Sequence, residues 1–326
     1  MEAFEFAQPA NAREVVKLLA AKPENSEVLA GGSDLLGRMK DSISKPARVV
    51  GLRNARDLGG LTYHPSQGLR IGPMVTLDEL GASAEVKRHY PGLVESAENA
   101  GSPQIRNVGT VGGNLCQRPR CWYYRAGFGL LAMQDGKSLV PNGENRYHAI
   151  FGNSGPAYFV SPSSLAPMLI ALGAKVRLLG PEGSRELPLE KFFVIPQSEG
   201  QREHDIKPTE IITEVLVPPP QGLSAFYEIR QKAQFDWPLA TAGVVLRMSG
   251  HTVSRARVVM GQVAPIPWAS PEAEQALAGK AVSEEVADSA GQAAVEKAAP
   301  LSHNAYKVTL ARVAVKRAVL RATAQA

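Results

Sequence analysis

The sequence predicts an α+β protein of two unlike parts, on three observations. A glycine pair, Gly31-Gly32, joins a strand-like run to a helix-like run near the start. Short apolar stretches split by Gly, Pro and Asn follow, which is the pattern of small strands in a sheet. After Pro218, Pro219 and Pro220, through which neither strand nor helix continues, three strand-like runs precede an Ala-rich helical tail. Strands followed by helices in this way form an α+β unit.

In chain order, "NAREVVKLLAA" at 11–21 sets Val15, Val16, Leu18 and Leu19 at helical spacing, with Asn11 as cap. Val28, Leu29 and Ala30 then lead into Gly31-Gly32. Ser33 or Asp34 is positioned to cap a helix carrying Leu35, Leu36 and Met39. A helix that starts just after a glycine turn aims several N–H groups at one spot, which its dipole makes mildly positive. Such a spot suits phosphate, although the same turn also serves as an ordinary strand-to-helix connection. No Gly-Lys-Ser/Thr follows and G-x-G-x-x-G is absent, so a P-loop and a nicotinamide-binding Rossmann unit are disfavoured.

Short strands are expected at Val49, Val50 and Leu52, at Leu61 and Tyr63, and at Leu69 and Ile71. Helices are expected from near Thr76 and around "GLVESAENAG". "LAPMLIALGAKVRLLG" reads as a buried helix running into a strand, and "TEIITEVLVPPP" as another strand that ends at the main domain boundary. The domains are therefore 1–220 and 221–326. In the second, "SAFYEIRQK", "LATAGVVLRMSG" and "TVSRARVVMGQVAP" are strand-like, and two or three helices are expected from about Glu272 to Ala326. The last helix sets Val308, Ala311, Val315 and Ala318 opposite Lys307, Arg312, Lys316 and Arg317, predicting a solvated basic face.

The 326 residues, 44% hydrophobic and 21% charged, fit a soluble chain of two or three domains. The net charge of +5 is spread along the chain, without the density of a nucleic-acid patch. No segment approaches the roughly 18 apolar residues of a membrane span, and the N-terminus lacks a signal pattern. By its own sequence the chain is expected in the cytoplasm, or in the periplasm if exported with a signal-bearing partner. Two cysteines, Cys116 and Cys121, exclude a disulfide-built fold and a four-thiolate metal site made by this chain alone. They are packed small residues, a redox-active pair, or metal ligands completed from outside.

"AGSPQIRNVGTVGGNLCQRPRCWYYR", residues 100–125, repeats the glycine device: Gly109, Gly112 and Gly113 open the backbone, and Thr110 and Asn114 add small polar groups. Two such loops in one domain suggest one elongated ligand with a phosphate region and a polar ring. The set "LAGGSDLL", "PQIRNVGTVGGNL", "LAPMLIALGAKV" and "PLSHNAYKVTLARVAVKRAV" resembles the FAD-binding medium subunit of the xanthine dehydrogenase family of molybdenum hydroxylases, over nearly the whole chain. "RCWYYR" and "GENRYHAIFG" resemble the subgroup that includes bacterial periplasmic aldehyde oxidoreductases.

The resemblance implies a two-lobed FAD-binding domain of the vanillyl-alcohol-oxidase type, with a small lobe at about 1–58 and a larger one at 59–220. A C-terminal domain of the CO dehydrogenase flavoprotein type follows. It also implies that Leu29, Ala30, Gly31, Gly32, Ser33, Asp34, Leu35 and Leu36 wrap the FAD diphosphate. Ala100, Thr110, Gly112, Gly113 and Asn114 would lie along the phosphate and ribityl portion. Lys232 falls where the family carries a basic group near the flavin; it is that cation or a surface lysine. Tyr123, with Trp122 and Tyr124, shields the ring or simply packs, and His148 hydrogen-bonds the flavin or is structural. Ser164 stands where relatives often have an aspartate that contacts the flavin.

In that subgroup the flavin subunit carries a four-iron cluster on four cysteines, one at the position of Cys121. This chain has no cysteine through 131–160, so no [4Fe-4S] cluster is expected in it. The implied function is an electron-transfer subunit, passing electrons from iron-sulfur clusters through FAD to an external acceptor. Its partners would be a molybdopterin-bearing large subunit and a small subunit with [2Fe-2S] clusters. No nucleophile-base-orienter set and no metal-ligand histidine spacing appears, which suits a subunit whose substrate is oxidised elsewhere. The alternatives are a free-standing flavin oxidase with its own small organic substrate, and a non-enzymatic assembly module that uses the C-terminal helices.

Overall fold

The structure, a computed structural model, describes residues 1–232 and 236–324. Among the described residues three larger sheets follow one another along the chain, and a two-stranded hairpin of Met133–Gln134 and Lys137–Ser138 stands apart from them. The first is parallel and three-stranded, with Arg48–Gly51 between Glu5–Ala7 and Ser26–Leu29. The helix Ala12–Ala21 covers it by burying Val15, Val16 and Leu19, and Asn11 caps that helix by accepting from the Glu14 N–H.

The second sheet is antiparallel and five-stranded, in the order Leu61–His64, Gly68–Ile71, Ile211–Val217, Lys175–Gly180, Gly183–Pro188. Helices Leu77–Ala82, Ala84–His89 and Pro91–Glu98 pack with it around one core containing Leu80, Tyr90 and Leu93. Thr76 and Glu79 form a capping box at the first of these helices.

The third sheet is an antiparallel meander of Leu223–Arg230, Pro238–Ser249, Thr252–Gly261 and the short Trp268–Ala269. Helices Pro271–Leu277, Glu284–Ala294 and Tyr306–Ala324 pack against it through a second core of small and β-branched residues. The helix Ala166–Ala171 is buried on all sides between the two halves. It lies so close to the third sheet that a Cβ on Gly243 would come 2.9 Å from the Met168 Cα.

Two expectations are corrected. The second glycine cluster is two short helices, Pro103–Val108 and Val111–Cys116, that meet at Gly109-Thr110. On the last helix, Lys307 is buried and not part of a solvated face. It precedes Ala311 by one turn and so lies on the same stripe as Ala311, Val315 and Ala318.

Candidate functional site

A groove runs between the two glycine segments. The first segment leaves the strand Ser26–Leu29 and enters the helix Leu35–Lys40. Gly32 sits at φ +77°, in the left-handed region that favours glycine. A Cβ built on Gly31 would overlap the Val108 carbonyl, so Gly31 permits the two glycine segments to touch. The N–H groups of Gly31, Gly32, Ser33 and Asp34 have no protein partner among the described residues. They form a row of donors at the groove.

Neither Ser33 nor Asp34 caps the helix through its side chain. The Asp34 carboxylate turns away to bind three guanidinium groups, at 2.7 Å from Arg125, 3.1 Å from Arg120 and 3.3 Å from Arg38. It also accepts from the Arg118 N–H at 3.1 Å. Burial alone would raise its pKa, but these partners outweigh burial and hold it below the usual range.

The second segment forms the opposite wall. Thr110 caps its helix by accepting from the Gly113 N–H at 3.1 Å. The Gly112 N–H donates to the Pro73 carbonyl at 2.9 Å. Asn114 Oδ1 accepts from the Ser163 hydroxyl at 2.8 Å and the Leu165 N–H at 3.2 Å, which fixes the turn that carries Ser164.

The groove widens into two cavities that share Ser33, Thr110, Gly113 and Gln117. One, of about 430 Å³, runs under Ala30, Gly31, Gly32, Leu35 and Gly112 toward Ile206 and Ile212. The other, of about 300 Å³, is lined by Ala100, Asn114, Ser164, Arg120 and, from the C-terminal half, Trp237. Leu29 and Leu36 flank the first cavity without lining it: Leu29 packs on the cluster of Leu35, Met39 and Val49, and Leu36 is exposed.

Tyr123, His148 and Lys232 do not line either cavity. The Tyr123 hydroxyl accepts from the Glu144 N–H at 2.8 Å. Lys232 is exposed. His148 is buried with its Nε2 3.2 Å from the Cys121 Sγ. Burial, with the Lys307 charge nearby, brings its pKa down to about 4. Burial also raises the pKa of the Cys121 thiol, so both members of the pair are neutral at pH 7. Cys116 lines the larger cavity, its thiol pushed up to about 12 by burial. Among the described residues no group of three or more His, Cys, Asp or Glu side chains could hold a metal ion.

Arg120, Gln117 and Trp237 were not singled out from the sequence as site residues. The guanidinium of Arg120 lies 4.6 Å from the Trp237 ring centre. The run "CQRPR" carries a basic signal that could have pointed to Arg120, but nothing local points to Gln117 or to a tryptophan more than a hundred residues away.

A row of free backbone donors faces the glycine-bearing first turn of the helix Val111–Cys116, in a groove with a chamber at each end, and this arrangement suits a dinucleotide diphosphate. Residues 2–220 match the family described as the FAD binding domain in molybdopterin dehydrogenase, and residues 225–322 match the CO dehydrogenase flavoprotein C-terminal domain. The chain belongs to this flavoprotein family. It is 29% identical to the aldehyde oxidoreductase FAD-binding subunit PaoB of Escherichia coli K12, with 100% of both chains covered. It is 30% identical to the carbon monoxide dehydrogenase medium chain of Hydrogenophaga pseudoflava, over 99% of this chain and 98% of that one. A solved structure of the H. pseudoflava enzyme lacking the Mo-pyranopterin moiety of its molybdenum cofactor superposes with a TM-score of 0.78 at 28% identity. That match covers 99% of this chain and 98% of the other.

The groove fits FAD: the donor row supplies what a diphosphate accepts, and Gly113 carries no side chain where a Cβ would meet only the Thr110 hydroxyl, at 3.0 Å. No helix among the described residues is long and apolar enough to cross a membrane.

Proposed function

We propose that this chain is the FAD-bearing electron-transfer subunit of a heteromeric molybdenum hydroxylase. Its partners are a large subunit that holds molybdopterin and a small subunit with [2Fe-2S] clusters. The observation that carries this reading is the unpartnered N–H row of Gly31–Asp34 opposite Thr110–Asn114, within a groove that opens at both ends. Bound FAD supplies the capacity to take electrons and pass them to an external acceptor.

The chain's own residues bind and orient. Ala30 to Leu35 cradle the diphosphate, with the Ser33 hydroxyl as a further donor, and Gly112 and Gly113 let it approach the opposite wall. Ala100, Asn114 and Ser164 border the ring in the smaller cavity, where the two halves of the chain meet. The Asp34 carboxylate is already neutralised by arginine, so it does not repel the diphosphate. With only Cys116 and Cys121, the chain binds no [4Fe-4S] cluster of its own.

The test is native purification under gentle lysis. The expected product has a flavin spectrum and co-purifying molybdenum and iron-sulfur chains, and substrate bleaches the flavin only in the complex. A chain that emerges without flavin and cannot be loaded with FAD overturns the reading.

A further inference from the structure

We propose that Arg120 is the cation that sets the flavin's reduction potential, held in place by Asp34, Gln117 and Trp237. The inference rests on the reading of the groove as the FAD site. Among the described residues, Arg120 is the only basic side chain lining the smaller cavity. The other arginines around Asp34 are directed elsewhere. Arg38 Nη1 donates to Glu27 Oε1 at 3.1 Å, and Arg125 Nε to the Pro119 carbonyl at 2.9 Å. Arg118 is paired with Glu203 at 2.5 Å. Asp236, the acidic group that lines the same cavity, accepts from the Lys232 and Trp237 N–H groups.

Arg120 is fixed in place yet keeps a free donor. Its Nη1 lies 3.1 Å from Asp34 Oδ1, its guanidinium stacks on Trp237, and its Nη2 donates to Gln117 Oε1 at 3.4 Å. The Gln117 amide nitrogen donates to the Asn114 and Pro162 carbonyls at 3.1 and 3.3 Å, which turns the amide oxygen toward Arg120. Each terminal nitrogen makes one of these contacts and carries a second N–H with no partner among the described residues, and the side chain keeps 26% exposure, so a donor remains for a ligand in the cavity. Burial lowers its pKa to about 10, and it still carries its charge at neutral pH.

Two-electron reduction of a flavin at neutral pH takes up two electrons and one proton at N5, leaving negative charge spread over N1 and C2=O. The electrons come from the partner's reduced iron-sulfur centres, or from dithionite in the test. A guanidinium beside that edge stabilises the reduced form and the N5 sulfite adduct, which carries the same charge. The position expected of Lys232 is thus taken by Arg120.

The experiment compares the FAD-loaded full chain with Arg120→Gln, Arg120→Lys and Lys232→Gln, reading bound flavin, midpoint potential and sulfite affinity. Arg120→Gln is expected to keep its FAD, lower the potential by at least about 30 mV, a tenfold change for a two-electron couple, and weaken sulfite binding about tenfold. Arg120→Lys restores most of both values, and Lys232→Gln leaves them unchanged. An Arg120→Gln chain that holds FAD at the original potential and sulfite affinity overturns the proposal. So does one that loses FAD affinity alone, with the potential unchanged at saturating FAD, because Arg120 then serves the diphosphate. If the unaltered chain takes up no FAD, the reading of the groove itself falls.

Discussion

The two glycine segments look alike in sequence but do different work. Gly31–Asp34 keeps its N–H groups free of protein partners, whereas Gly112, Gly113 and Asn114 all donate within the fold, to Pro73, Thr110 Oγ1 and the Thr110 carbonyl. The first segment presents donors; the second presents a close, smooth wall. A repeated glycine pattern therefore signals close approach, and only the hydrogen-bond inventory says which side supplies the binding.

The largest effect that would break this contrast is expected at Gly31. Gly31→Val forces a side chain into the Val108 carbonyl and parts the segments, so bound flavin is expected to vanish and stability to fall by about 3 kcal/mol. Flavin per chain after gel filtration and denaturant unfolding measure the two effects. A folded variant with stoichiometric FAD would show that the contact between segments is dispensable.

Next comes Asp34→Asn, which leaves Arg38, Arg120 and Arg125 without their shared anion. A loss of about 2–3 kcal/mol is expected in the FAD-free chain, discounted for the 14% exposure of the Asp34 side chain. Added FAD is expected to recover part of that loss, because its diphosphate brings negative charge to the same region. Thermal melts with and without FAD decide it.

Acid sharpens the contrast from the second segment's side. His204 packs between Phe192 and Phe193, near the Leu115 backbone of the second segment's helix, and burial brings its pKa down to about 4. His148 is lowered to about 4 as well. Both stay neutral in the folded chain while the unfolded chain takes up protons below about 6.5. The stability they contribute is therefore full above that pH and is lost as pH falls toward 4. The melting temperature should drop across that window, and less steeply in His204→Phe. An equal slope in the variant would remove His204 from the account.

The smallest effect is expected at Gly113→Ala. The added methyl meets only Thr110 Oγ1, at 3.0 Å, and otherwise enters the groove. About tenfold weaker FAD binding, ~1.4 kcal/mol, with an unchanged melting temperature fits a wall that touches the ligand. A large stability loss with unaltered affinity would contradict it.

Much of the fold was legible because it follows from local pattern. Asn11 caps its helix as expected, the helix expected from near Thr76 begins there, and the strands around Val49, Leu69 and Ile212 form within runs of suitable residues. The glycine segments were visible for the same reason. Arg120 was not, since its importance comes from Asp34 and Trp237, which tertiary structure alone brings together. Lys307 was misplaced because its charge outweighed its spacing: a lysine on an apolar stripe is tolerated when carbonyls meet it. Here the Gln262, His148 and Tyr147 carbonyls accept from its ammonium at 2.7, 3.0 and 3.3 Å.

That lysine is one of several stitches between the end of the chain and its middle. Asn304 Nδ2 donates to the His148 and Ala149 carbonyls, and Asn145 exchanges hydrogen bonds with Ser302 and the His303 N–H. The polar groups of the stretch 145–149 are thus satisfied by the last helix and the turn that leads into it. Cutting the gene at the proline triplet to produce two separate halves would strand these carbonyls and amides, and shortening the tail would loosen a segment far upstream.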